Sequence, residues 1–333
     1  MNVLIVAEKP SVSRALAPIV RQNWPLADIT FVHAVPYGNF KYAYPRGLKM
    51  SEYPTLSEPR NKLSAWDDWS CPPVVLANDG DLKPTTMRLE LFKEADIILF
   101  ACDPGHTGAV SFDVLMREVF GDNRALQCPA LILNSLVETD VDLAFRRMSP
   151  FKVTLMGSLE YGRMKRYFDW NWNVNGLALI GEAQRRAGVS SSAEPVSKYA
   201  LQVLYVLRSA GPMTEGSAVG LMARWPGTGR YAEKDFKWFR GIGSAASRGQ
   251  ILENLLQAGL LELVPGPTQK LFQLSSLGAA FLDLLHPDCE DPDLPFRLHA
   301  WCLQGIAAKP AVDRYLNTFF GKQKRFLAPD TRR

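Results

Sequence analysis

The chain has 333 residues, 47% of them hydrophobic and 22% charged, with a formal net charge of +4. This is the composition of a globular protein long enough for two or three compact domains, not of a fibre or a disordered tail. So small a charge excludes a polycation that coats nucleic acid and leaves room for local basic patches.

Met1 is followed within two residues by the strand-like VLIVAE instead of a basic-then-apolar leader. No apolar run approaches the ~18 residues that a membrane span needs. A cytoplasmic protein without membrane attachment is expected. The five cysteines (71, 102, 128, 289 and 302) are odd in number and form no close pair, which reads as reduced structural thiols. His286, Cys289, His299 and Cys302 lack the usual zinc spacing.

Residues 2–8 (NVLIVAE) predict a strand, and Ser11 precedes a helical pattern in VSRALAPIV. ITFVHA predicts a second strand, followed by an aromatic and proline-rich irregular stretch to about residue 84. A helix over 86–93, a strand over 97–102, a helix from Gly108 and a strand over 130–133 come next. That alternation predicts an α/β domain, Rossmann-like, with a mainly parallel sheet covered on both faces. Residues 151–210 read as helical, interrupted at GVSSSAEP. In residues 211–333 two helical patterns precede the pair LLELV and KLFQL around PGPTQ. That order is a winged-helix-like module, although bland helix packing with a hairpin gives the same pattern.

Two turns carry the chemistry. Glu8 and Lys9 leave the first strand just before a helix start, where unpaired backbone N–H groups suit a phosphate. In LFACDPGHTGAVSFDVL a strand delivers Asp103 to a Pro-Gly turn, with His106 beside it. In a parallel sheet both strand ends point the same way, so Glu8 and Asp103 could converge on a Mg²⁺ ion. A solvated surface turn is the plain alternative.

VLIVAEKPSVSRALA together with ADIILFACDPGHTG resembles the Toprim domain of type IA DNA topoisomerases, nearest to the topoisomerase III branch. The likeness continues in order through ILNSLVETDVDLAFRRM, MKRYFDWNWNVN (Asp169, Trp170, Asn175), the GIGSAASRGQ stretch with Arg248, and DPDLPFRLHAWCLQGIA. It implies a Toprim-like domain over 1–150, a helical DNA-binding region over 151–210, and a winged-helix-like domain over 211–333.

The departures are chemical. The family's turn carries Asp-Pro-Asp-Arg-Glu-Gly-Glu; here Asp103, Pro104 and Gly108 remain, while Gly105, Thr107 and Ala109 stand at the other acids and His106 at the Arg. The backbone requirements are kept and the charge is lost. Glu8 and Asp103 alone imply at most a weak Mg²⁺ site, with Glu8, Lys9, Asp103 and His106 vestigial and no cofactor required. The gate arch with its catalytic Tyr is also missing, since VLYVLRSAGPMTEGSAV joins its two flanks directly. Tyr44-Pro45-Arg46 repeats part of the Tyr motif, but in a turn-like stretch of the Toprim region. Without a tyrosine ester the energy of a broken phosphodiester cannot be stored.

Subtraction leaves DNA binding. Arg163, Lys165 and Arg166 alternate with Tyr167, Phe168, Trp170 and Trp172, a mixture suited to single-stranded DNA, unless the aromatics form helix core. Arg163, Lys165, Arg166, Trp170, Asn175 and Arg248 are the candidate DNA contacts. Arg230, Lys234, Lys237 and Arg240 lie upstream of Arg248, and GKQKRF adds a basic tail. The expectation is an accessory DNA-binding protein, of a kind suited to plasmid or mobile-element DNA processing. A Toprim nuclease, or a scaffold for a protein partner in a DNA-processing complex, is the alternative.

Overall fold

The computed structural model describes residues 1–34, 40–63, 71–121, 123–225, 227–228 and 241–328. In chain order the first half contains β1 (Asn2–Ala7), α1 (Pro10–Asn23), β2 (Asp28–His33), β3 (Phe40–Tyr42), β4 (Asn61–Leu63), β5 (Val74–Leu76) and β6 (Leu82–Pro84). There follow α2 (Glu90–Lys93), β7 (Ile97–Ala101), α3 (His106–Phe120), β8 (Pro129–Ala130), α4 (Glu138–Arg146), β9 (Ser149–Pro150), α5 (Phe151–Thr154) and the long α6 (Met156–Ala187). The second half contains α7 (Lys198–Ala210), α8 (Glu215–Ala223), α9 (Arg248–Gln257), β10 (Leu261–Val264) and β11 (Leu271–Leu274). It closes with α10 (Ser276–Asp283), α11 (Leu294–Gln304) and α12 (Lys309–Leu327).

The chain forms two compact units. One comprises Met1–Ala43, Pro59–Met164 and Cys302–Ile306; the other comprises Tyr44–Glu58, Lys165–Trp301 and Ala307–Arg333.

In the first unit a seven-stranded sheet has the order β6-β5-β2-β1-β7-β8-β9. Its central strands β2, β1, β7 and β8 are parallel, and the pairs at both edges are antiparallel. β1 shows why its apolar run is nearly continuous: Val3, Ile5 and Ala7 enter the core beneath α1 and α4, while Leu4 and Val6 enter the core beneath α3 and α5. A strand buried on both faces has no polar side to show. Pro10 opens α1 at a position where a missing N–H costs nothing. Arg21 in its last turn donates to the carbonyls of Pro25, Ala27 and Leu76.

The expected irregular stretch before residue 84 holds structure that periodicity could not show. β5 and β6 are three residues each and form a hairpin. Its turn is closed by Gly80 N–H donating to Ala77 and Ala77 N–H donating to Asp81. The strand over 130–133 is only Pro129–Ala130, and α3 begins at His106, two residues before Gly108.

In the second unit the aromatic side chains of α6 and α12 pack together. Trp172 lies 4.9 Å from Phe319 and 5.2 Å from Phe320, ring centre to ring centre. The Tyr167 hydroxyl donates to Asp313 at 2.6 Å and accepts from Lys309 at 3.0 Å. Burial, with the Asp313 carboxylate, pushes that phenol up to about 12. The β10–β11 hairpin is extended by paired backbone bonds between Met213 and Phe272.

Candidate functional site

The strand order places one crevice by topology. The chain runs from β1 to β2 on one side and returns with β7 on the other side of β1. The β1/β7 boundary is therefore a switch point, and ligands of open α/β sheets bind at the C-terminal ends of strands there. β1 and β7 are parallel with Ala7 opposite Ala101, so Glu8, Lys9 and Asp103 leave the sheet at the same edge. Glu8 is half-buried, and Lys9 and Asp103 are exposed. Both carboxylates act on the buried Cys102 thiol: burial chiefly, then Glu8 and Asp103, raise its pKa far above the ordinary value.

Close backbone packing builds the Asp103 turn. Asp103 Oδ1 accepts the N–H of Gly105 at 2.6 Å. A Cβ on Gly108 would stand 2.1 Å from the Asp103 carbonyl oxygen, and one on Gly162 of α6 would stand 2.7 Å from the His106 carbonyl. Only glycine permits either approach. The Ser158 hydroxyl donates to Pro104 O at 3.2 Å, and the His106 ring lies 5.0 Å from Tyr161.

Among the described residues no group of three His, Cys, Asp or Glu side chains could hold a metal. One Asp103 oxygen is already engaged by Gly105. An ion held by Glu8 and Asp103 would draw most of its shell from water or phosphate.

Beside this edge lies a pair that the sequence did not suggest. The Ser13 hydroxyl is 2.7 Å from His33 Nε2, and His33 Nδ1 is 3.1 Å from the Pro72 carbonyl. A carbonyl only accepts, so Nδ1 carries the proton and Nε2 accepts from Ser13. Both residues are buried to 1% exposure, so the hydroxyl is not offered to a substrate. Burial, assisted by the Arg14 charge and opposed by the Pro72 bond, lowers the His33 pKa.

Arg163, expected on DNA, makes a two-armed ion pair with Asp113 of α3, 2.9 Å at its shortest, and a second with Glu160 at 3.1 Å. Asp113 also takes Arg117 and is buried. Lys165 sits 2.6 Å from one oxygen of Asp169, and Lys198 of α7 sits 2.7 Å from the other. Burial opposes the Asp169 charge, but the two ammonium groups outweigh it and hold the carboxyl well below the usual range. Lys198 is itself buried, at 8% exposure. Lys198 carried no recognisable signal in the sequence.

Trp170, expected to stack on a base, is 1% exposed. Tyr44 stacks on it with ring centres 5.2 Å apart, and its indole N–H donates to Ser57 Oγ at 3.0 Å. Tyr167, Phe168 and Trp172 are buried too, as is Arg166, so the aromatic face of this helix is core. Asn175 is fully buried, and its amide exchanges two hydrogen bonds with the backbone of Thr55. Tyr44 of the Tyr-Pro-Arg triplet accepts from Asn173 at 2.8 Å, and burial raises its pKa.

Arg248 opens α9 and turns back to cap the preceding loop, donating to the carbonyls of Ile242 at 3.0 Å and Gly243 at 3.2 Å. Arg230, Lys234, Lys237 and Arg240 lie outside the described residues.

No family model and no curated protein matches the chain. Among solved structures, full-length topoisomerase I from Thermotoga maritima is similar over 61% of this chain and 29% of that one. The identity is 12% and the TM-score 0.34, a level that carries no argument about function.

Proposed function

We propose that the chain is a DNA-binding protein of the type IA topoisomerase kind that has lost strand passage. The observation that carries this reading is the β1/β7 switch point. The two segments that resemble the Toprim signature end there side by side, presenting Glu8, Lys9 and Asp103 at one sheet edge. α1 and α3 both start at that edge, and helix N-termini favour phosphate. Loss of strand passage rests on α7 and α8, which are joined by four residues with no room for an arch. Lys165, part-exposed on α6, adds a phosphate contact in the second unit. α8, α9 and the β10–β11 hairpin supply the winged-helix-like part, with Arg248 at its second helix.

The test is fluorescence anisotropy of labelled single-stranded and duplex oligonucleotides across several salt concentrations. Lys165→Ala removes one phosphate contact and should flatten the log–log salt slope by about 0.7 on a single strand. Arg248→Ala should do the same if the loop that it caps stays folded, which circular dichroism checks. No relaxation of supercoiled plasmid and no covalent adduct are expected. Absence of binding at low salt, or a Lys165→Ala slope equal to wild type, sinks the reading.

A further inference from the structure

Asn171 and Asn175 stand one turn apart on α6, and both side-chain amides face the strap of residues 51–58, which leaves a 3-10 turn at Met50–Glu52 and runs on without helix or strand from residue 53. Asn175 accepts from Thr55 N–H at 2.8 Å and donates to Thr55 O at 2.8 Å. Asn171 does the same with Ser57, at 2.8 and 3.0 Å. The spacing explains the fit. Four helical residues advance about 6 Å, and two extended residues advance about 6.6 Å. An asparagine at every fourth helical position therefore meets every second residue of an extended chain, and reads only its backbone.

Both amides are also anchored within α6 itself. Each donates to the carbonyl four residues back, Asn171 to Tyr167 at 2.9 Å and Asn175 to Asn171 at 2.7 Å. Three further groups read the occupant. Trp170 N–H donates to Ser57 Oγ, and Lys309 faces the Glu58 carboxylate at 3.8 Å. Lys324 donates to the carbonyls of Ser51 and Tyr53. None of residues 51–58 is itself buried. The strap is held by its backbone and contributes little core, the condition for opening locally below the global unfolding free energy.

We propose that this face of α6 is a peptide-binding clamp and that residues 51–58 are its resident, exchangeable occupant. Its ligand is an extended partner segment with a hydroxyl residue two positions after the first clamped residue and a carboxylate directly following, as in Thr55-Leu56-Ser57-Glu58. The inference is independent of the DNA-binding proposal and goes beyond it.

Hydrogen exchange on the wild-type protein tests the first half without any substitution. Thr55 and Ser57 amides should exchange faster than those of Leu179 and Ile180 in α6, and equally slow exchange overturns the proposal. The second half uses a labelled peptide of residues 50–60. Ser57→Pro removes an N–H and a hydroxyl from the strap, and should raise affinity for the added peptide by about tenfold or more, because the tethered competitor is weakened. Adding Asn171→Ala and Asn175→Ala should abolish that gain. A peptide N-methylated at the Thr55 and Ser57 positions should not bind. A folded Ser57→Pro protein that binds the peptide no better than wild type overturns the proposal, as does equal binding of the methylated peptide. Release of the peptide by a single-stranded oligonucleotide would assign the face to nucleic acid instead.

Discussion

The β1/β7 edge and the strap-bearing face of α6 are built on opposite rules. At the edge, backbone approaches backbone: Gly108 against the Asp103 carbonyl and Gly162 against that of His106 leave no space for one more carbon. Lys9 and Asp103 are exposed there, and Asp103 accepts the N–H of its own turn. On α6 the polar groups are inside. Asn171 and Asn175 are fully buried and completely engaged by backbone atoms. The edge is a close-packed frame that presents charge to solvent, whereas the α6 face is a polar socket already filled.

The strongest way to break this contrast is to crowd the edge. Gly108→Ala puts a methyl group into the Asp103 carbonyl, 2.1 Å away. Backbone cannot yield as a side-chain tip does, so a loss of about 3 kcal/mol in urea unfolding is expected. A loss under about 1 kcal/mol would show that the turn is loose.

Next comes the ion-pair network that Arg163 serves. Asp113 is buried between Arg163 and Arg117, so Asp113→Ala leaves two guanidinium groups without their shared partner. Both arginines reach solvent and can rehydrate, which holds the expected cost to about 2 kcal/mol. Arg163→Gln should cost roughly half as much, because Arg117 still serves Asp113. Unfolding without DNA measures both. An Arg163→Gln protein of wild-type stability and reduced DNA affinity would return Arg163 to the interface.

The two units should also separate on a pH axis. His33 has a folded pKa below its ordinary 6.5, so the unfolded chain takes the proton first. Its share of stability is complete above pH 6.5 and falls as the pH drops below it. Asp169 is held below its ordinary 3.8; its share is complete above that value and is lost only as pH falls further. The wild-type urea midpoint should therefore decline from about pH 6.5 downward, and His33→Asn should remove that early decline. Identical curves for the two proteins between pH 4 and 7 would show that His33 does not stay neutral.

How much of this was legible follows from range. β1, β7 and α3 announced themselves through unbroken apolar runs and a Pro-Gly turn, because both depend on neighbours in sequence. That Glu8 and Asp103 leave the sheet at one edge required only that β1 and β7 be parallel. The β5–β6 hairpin was missed because three-residue strands carry no periodicity, although Asn78-Asp79-Gly80 marks its turn. The aromatic residues of α6 were ambiguous, since helical spacing of Tyr167, Phe168, Trp170 and Trp172 suits core and base stacking alike. Here α12 and residues 44–57 decide for core, through contacts more than a hundred residues away. Asn171 and Asn175 were visible as a spacing of four. Their role was not, because backbone amides leave no trace in sequence.

The smallest expected effect separates a glycine that the fold requires from one that it tolerates. Gly249 is the second residue of α9; it is exposed, and a Cβ there would meet nothing within 4 Å. Glycine in a helix gives up more chain entropy on folding than alanine does, so Gly249→Ala should raise stability by about 0.5 kcal/mol. The same exchange at Gly108 has the opposite sign, because the entropy gain is equal and the steric cost is not. Urea titrations of the two variants beside wild type decide it. A stabilised Gly249→Ala protein that also keeps its DNA affinity would show that α9 needs no bare backbone there for a phosphate. A loss of DNA affinity with stability gained would instead place a phosphate against that N-terminal turn of α9, where the first backbone N–H groups are free of helix partners.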